Sequence, residues 1–143
     1  MKRDIESRAD IDLVIRDFYS QLIQDELIGH FFTEVVDLSF EEHIPIIVDF
    51  WTAVLLNQGR YQGQLIAKHI ALDQQSKLEK EHMLRWQEIF NTTLDLTFEG
   101  KIVDDAKRRV GLMGELMLFK INKARTGNSV VLIRIAIGMT VLD

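Results

Sequence analysis

Apolar residues recur every three or four positions along most of this 143-residue chain. This spacing places them on one face of an α-helix, which can then be buried against another helix. Pro45 is the single proline, so long helices are not interrupted elsewhere. The sequence also lacks the alternating strands of an α/β unit and the Gly-rich loop that cradles phosphates. It therefore predicts an all-α fold.

The helical spacing divides the chain into separate segments. The predicted helices cover residues 7 to about 25, 39 to about 56, 65–72, 76 to about 98 and about 102 to 123, with one helical turn at 30–32. Ser39 and Ser76 each precede a glutamate by three residues, which is the pattern of a capping box at a helix start. With Ser39 as the cap, Pro45 lies inside its helix and removes one backbone hydrogen bond.

Composition and charge exclude several classes of protein. The chain is 47% hydrophobic and 27% charged, as is typical of one globular domain. A net charge of −5 without a Lys/Arg block excludes a general nucleic-acid binder. The absence of cysteine excludes disulfides and thiolate metal sites. We see no secretory signal and no apolar run that could span a membrane, so we expect a cytoplasmic protein.

Among the four histidines, His69 has the most suggestive surroundings. On a helix it shares a face with Leu65, Ile66 and Leu72, which could seat a flat apolar ligand. Neutral imidazole is the commonest metal ligand in proteins, and a histidine is one standard axial ligand of haem iron. The same pattern also suits a structural histidine that is satisfied by a hydrogen bond.

Three further polar side chains lie on other predicted helices. Tyr19, His43 and Trp86 each accompany an apolar stripe, and polar tips that converge on an apolar space form a ligand site in helical proteins. With iron held by His69 on one side, these three could donate hydrogen bonds on the other. Such donors stabilise bound O₂, which carries partial negative charge.

The sequence resembles the group III truncated haemoglobins. The match extends over about residues 8–123 and depends on order and spacing together. The residues that carry it are Asp17-Phe18-Tyr19, residues 27–32, Glu42-His43, Phe50-Trp51, Tyr61-x-Gly63-Gln64, Lys68-His69, Trp86 and Phe90. The resemblance implies a truncated globin, a two-over-two helical sandwich, with haem b as its cofactor. It also implies binding of O₂, CO or NO, and the family's proposed roles include NO detoxification and peroxide chemistry.

The resemblance assigns roles residue by residue. It makes His69 the proximal iron ligand and gives Tyr19, His43 and Trp86 the distal polar positions. The positions expected to contact the haem are Phe32, Ile47, Trp51, Ile66 and Phe90. Lys68 and Arg60 are weaker candidates for pairing with the haem propionates.

The sequence leaves two alternative functions open, and it leaves the structure of the C-terminal tail undecided. His43 and His69 could both bind the iron, as in a bis-histidine electron-transfer protein, or the chain could be a cofactor-free helical interaction domain. We expect a haem-binding domain at residues 1–125 and an apolar tail at 126–143. The tail extends beyond the resemblance, and it could pack on the domain or join a second copy in a homo-oligomer.

Overall fold

The computed structural model describes residues 1–35, 39–59 and 65–126, without the side chains of residues 35 and 65–67. The predicted tail beyond residue 126 therefore lies outside the described residues. Within the described ranges, the elements are α1 (Arg8–Leu22), a π-helical turn (Phe31–Val35), α2 (Phe40–Leu56), α3 (Leu65–Gln75), α4 (Lys80–Thr97) and α5 (Lys101–Arg125). The predicted all-α fold is confirmed.

The first helix ends three residues before its predicted end because a side chain organises the turn that follows it. The Asp25 carboxylate accepts hydrogen bonds from the backbone N–H groups of Leu27 and Ile28. The same carboxylate pairs with Arg85 of α4 at 2.7 Å. An Asp that accepts local N–H groups stabilises a turn in competition with the helix. This turn leads the chain to the π-helical segment.

The start of α2 differs from the predicted capping box. Ser39 stands at the cap position, but its side chain makes no capping hydrogen bond, so that prediction is wrong. Pro45 does lie inside α2, as predicted, and it supplies no N–H to the carbonyl one turn earlier. The N–H of His43 still donates to the Ser39 carbonyl at 2.8 Å, so His43 is held in the first turn.

The second predicted capping box is also wrong. Helix α4 begins at Lys80 with Glu79 as its cap, and Ser76 belongs to the preceding connection. Nδ1 of His82 accepts the Glu79 N–H at 2.9 Å and satisfies one donor at this helix start. Helix α3 runs to Gln75, past the break predicted at Asp73.

The helices pack around one core. Helix α1 lies against α2 and α4, α4 lies against α5, and α3 lies against α5. The segment before α1 caps the N-terminus of α5. There the Asp4 carboxylate accepts the N–H groups of Ile102 and Val103 at 2.8 and 3.1 Å. Gly100 allows this approach, because its φ is 144° and a Cβ there would lie 2.5 Å from Cγ of Asp4. No helix in the described ranges is long and apolar enough to cross a membrane.

Candidate haem site

All five helices and the π-helical turn contribute side chains to a cavity of about 110 Å³. Its walls are mostly apolar and aromatic. The polar side chains on the described wall are Tyr19 from α1, His69 from α3, and His82 and Trp86 from α4. An apolar cavity with a few polar groups is the usual form of a cofactor site.

The α3 side of the cavity carries the predicted iron ligand. His69 is partly buried and lies on the wall, together with Leu72 three residues later on the same helix. Leu78 continues this wall just beyond α3. The side chain of Ile66 lies outside the described part of the structure, so its predicted contact with the cofactor stays a prediction.

The predicted aromatic contacts form two layers. Phe32, Ile47 and Trp51 lie on the cavity wall, and their contact with a haem stays a prediction. Phe90 is not among the described lining residues. It is buried behind the wall and stacks on Trp51, with ring centroids 5.0 Å apart, and on Trp86 at 6.4 Å. Phe90 therefore supports the indole rings rather than facing the cavity.

Tyr19 of α1 and His43 of α2 form a hydrogen-bonded pair. The Tyr19 hydroxyl and Nε2 of His43 are 3.0 Å apart, and the two rings meet edge to face. Tyr19 lines the cavity, whereas His43 is not among the described lining residues. Burial raises the pKa of the Tyr19 hydroxyl, so this group keeps its proton.

The imidazole of His43 is disfavoured in its charged form. Burial lowers its pKa, and electrostatic interactions with Lys68 and His69 lower it further. Lys68 is itself exposed and is not on the described cavity wall. Arg60, the other basic residue predicted near the propionates, lies outside the described residues.

Several wall residues were not predicted as site residues. Met113, Met117 and His82 all line the cavity. His82 is partly buried, with 14% of its side chain exposed. Its position four residues before Trp86 was the available signal, because that spacing places both on one helix face.

No model of a known protein family matches this sequence. A curated relative, the group 3 truncated hemoglobin ctb of Campylobacter jejuni, is 25% identical over 126 residues. The match covers 84% of this chain and 97% of that relative.

Two solved structures share the fold. The crystal structure of a group III truncated hemoglobin from Campylobacter jejuni matches with a TM-score of 0.75 and 22% identity, over 85% of this chain and 95% of that one. The 2/2 hemoglobin from Synechococcus sp. PCC 7002 matches with a TM-score of 0.69 and 23% identity, over 78% of this chain and 91% of that one. The chain has the two-over-two truncated globin fold, and the resemblance to the group III truncated haemoglobins that its sequence predicted is confirmed.

Proposed function

We propose that this chain is a b-type haem protein that binds O₂, CO and NO in the central cavity, with His69 as the axial ligand of the iron. The observation that carries the proposal is the presence of His69, Tyr19 and Trp86 on the wall of one cavity, each from a different helix. The likeness to the Campylobacter jejuni protein and to the Synechococcus hemoglobin, whose crystal structure has covalently attached heme, supports it.

The donor set fits a haem. A neutral imidazole suits an iron ligand, and the aromatic rings of Phe32 and Trp51 offer flat apolar surfaces to a macrocycle. Haem, when bound, supplies an iron atom that accepts diatomic gases. Tyr19 and Trp86 each carry one N–H or O–H donor on the wall, so they can hydrogen-bond to a polar ligand in the cavity.

The Tyr19–His43 hydrogen bond favours gas binding over bis-histidine electron transfer. Nε2 of His43 is already used by the Tyr19 hydroxyl. His43 would have to give up this bond to bind iron through Nε2, and it is not among the described lining residues of the cavity. We therefore assign His43 to the distal hydrogen-bond network rather than to the iron.

Three narrower statements belong to the same proposal. Residues 1–125 form the haem-binding domain, followed by the tail at 126–143. The protein works in the cytoplasm. A redox activity toward NO or peroxide, as implied by the family resemblance, stays a prediction.

The test is an absorption spectrum of the purified protein with stoichiometric haemin, recorded after reduction and after addition of O₂ or CO. We expect a sharp Soret band that shifts with each gas. His69→Ala should lose the spectrum of proximal-histidine ligation, and added imidazole should restore it. The matched control is His82→Ala, which removes the other histidine on the described wall and should keep the wild-type spectrum.

Two results would overturn the proposal. A broad spectrum like that of free haemin in the wild-type protein would show that the likeness to globins is only architectural. A normal proximal-histidine spectrum in His69→Ala would show that another residue binds the iron.

A further inference from the structure

Arg125, the last residue of α5, reaches back to the helix that carries His69. Its guanidinium donates to both carboxylate oxygens of Asp73, with Nε 3.0 Å from Oδ2. Asp73 lies on α3, four residues after His69, and it is buried. A two-pronged Arg–carboxylate pair fixes orientation as well as distance, because both planar groups must align.

The same two side chains also hold the chain that follows α3. Asp73 Oδ1 accepts the N–H of Leu78 at 2.8 Å, and Arg125 donates to the Leu78 carbonyl at 3.1 Å. Both backbone groups of Leu78 are thus fixed, and its side chain lines the cavity. Burial alone would raise the pKa of Asp73, but the hydrogen bonds from Arg125 and Leu78 outweigh it and lower the pKa.

This network joins three parts of the cavity wall. Helix α5 contributes Met113 and Met117, α3 contributes His69 and Leu72, and the connection to α4 contributes Leu78. Asp73 lies one helical turn beyond His69, so a contact that holds Asp73 also restrains the part of α3 that carries the imidazole.

We propose that Arg125 is a positioning residue for the axial imidazole: through Asp73 it holds α3 so that His69 presents its nitrogen to the haem at a fixed distance and angle. The haem part of this statement rests on the proposed function. The contacts by which Arg125 fixes α3 do not depend on the proposed function, because they are present in the protein without haem.

The test uses three substitutions in the full chain. Arg125→Met keeps the aliphatic stem and removes the guanidinium, while Arg125→Lys keeps the charge and loses the two-pronged geometry. Arg108→Met is the matched control, because Arg108 is an exposed α5 arginine that pairs with Asp105 on the same helix. Arg125→Met leaves the buried Asp73 carboxylate without its partner and could therefore yield too little folded protein. In that case the same measurements are made on Arg125→Lys.

Two readouts separate positioning from general stability. Amide hydrogen exchange without haem should be faster in α3 than in wild type for Arg125→Met, with α1 unchanged and Arg108→Met like wild type. With haemin bound and reduced, the iron–histidine stretching band in the resonance Raman spectrum should shift or broaden. Haem release should also be roughly tenfold to a hundredfold faster, as for other residues that orient a metal ligand. Arg125→Lys should give intermediate values.

The outcomes distinguish the two proposals. If wild-type protein takes up haem and Arg125→Met keeps both the wild-type α3 exchange and the wild-type stretching band, Arg125 does not position His69. A uniform acceleration of exchange in all helices with an unchanged band would likewise overturn the inference. If wild-type protein does not retain haem, the proposed function fails, and with it the assignment of Arg125 to the axial ligand.

Discussion

The Tyr19 hydroxyl of α1 lies 3.0 Å from Nε2 of His43 on α2, so one hydrogen bond joins two helices beside the cavity. The protonation of Nε2 decides its direction. With Nε2 unprotonated, the Tyr19 hydroxyl donates to His43 and offers only lone pairs to a ligand in the cavity. With Nε2 protonated, the Tyr19 oxygen accepts, and its own proton is free to point into the cavity.

Tyr19→Phe removes the hydroxyl from the cavity wall and keeps the ring. If Tyr19 donates to bound O₂, we expect dissociation to be about tenfold to a hundredfold faster, since a hydrogen bond to a charged group contributes about 1.5–3 kcal/mol. Stopped-flow replacement of O₂ by CO measures this rate. His43→Leu is the companion variant, because it removes the competing acceptor and should slow dissociation. Equal rates in Tyr19→Phe and wild type would remove Tyr19 from ligand binding.

The low pKa of His43 predicts a specific dependence of stability on pH. In the folded state the pKa lies below its usual value of 6.5, so the unfolded chain binds a proton more readily in the interval between the two values. Stability is therefore complete above about pH 6.5 and falls as the pH drops toward the folded-state pKa. Urea unfolding of the haem-free protein between about pH 8 and pH 5 measures this.

His43→Gln supplies the comparison for that experiment, because it cannot gain a proton in this range. The stability of the variant should fall less than that of wild type on acidification. His30→Gln, which changes a histidine of the connection before the π-helical turn, serves as the control. If wild type and His43→Gln lose the same free energy of unfolding between the two pH values, the burial of a neutral His43 does not contribute.

Asp4→Ala should weaken the start of the longest helix in the described ranges. The Asp4 carboxylate accepts two N–H groups in the first turn of α5, as a capping side chain does, although it lies 98 residues before Ile102. Loss of such a cap costs about 0.5–2 kcal/mol in the free energy of unfolding, and urea denaturation measures it. Asp12→Ala is the control, because Asp12 pairs only with Arg16 one turn away on the exposed side of α1 in the described contacts.

The helices could be predicted from the sequence better than their ends. Apolar spacing reflects burial of one face, so α1, α4 and α5 follow from the pattern alone. Ser76 failed as a cap because Asp73 and Arg125 hold the backbone at Leu78. The contacts of Arg125 with Leu78 and Asp73 join residues 47 and 52 positions apart, and no local pattern contains them.

The sequence could propose residues of the candidate site, but it could not give their arrangement around the cavity. Tyr19, Trp51, Trp86 and His69 lie on the wall of one cavity, and their roles toward a haem stay predictions. The sequence could not show that Phe90 stacks behind the wall, because its helical spacing is the same for a lining and a supporting residue. Nor could it show that His43 forms a hydrogen bond with Tyr19, since this depends on the approach of α2 to α1.

Both tryptophans of the chain, Trp51 and Trp86, lie on the cavity wall and stack on Phe90. The tryptophan fluorescence of this protein therefore arises from the cavity alone, with no indole elsewhere to add a background. Any molecule that enters and absorbs near the indole emission quenches the whole signal. The chain thus contains its own optical probe, and occupancy of the cavity can be followed in real time without a label.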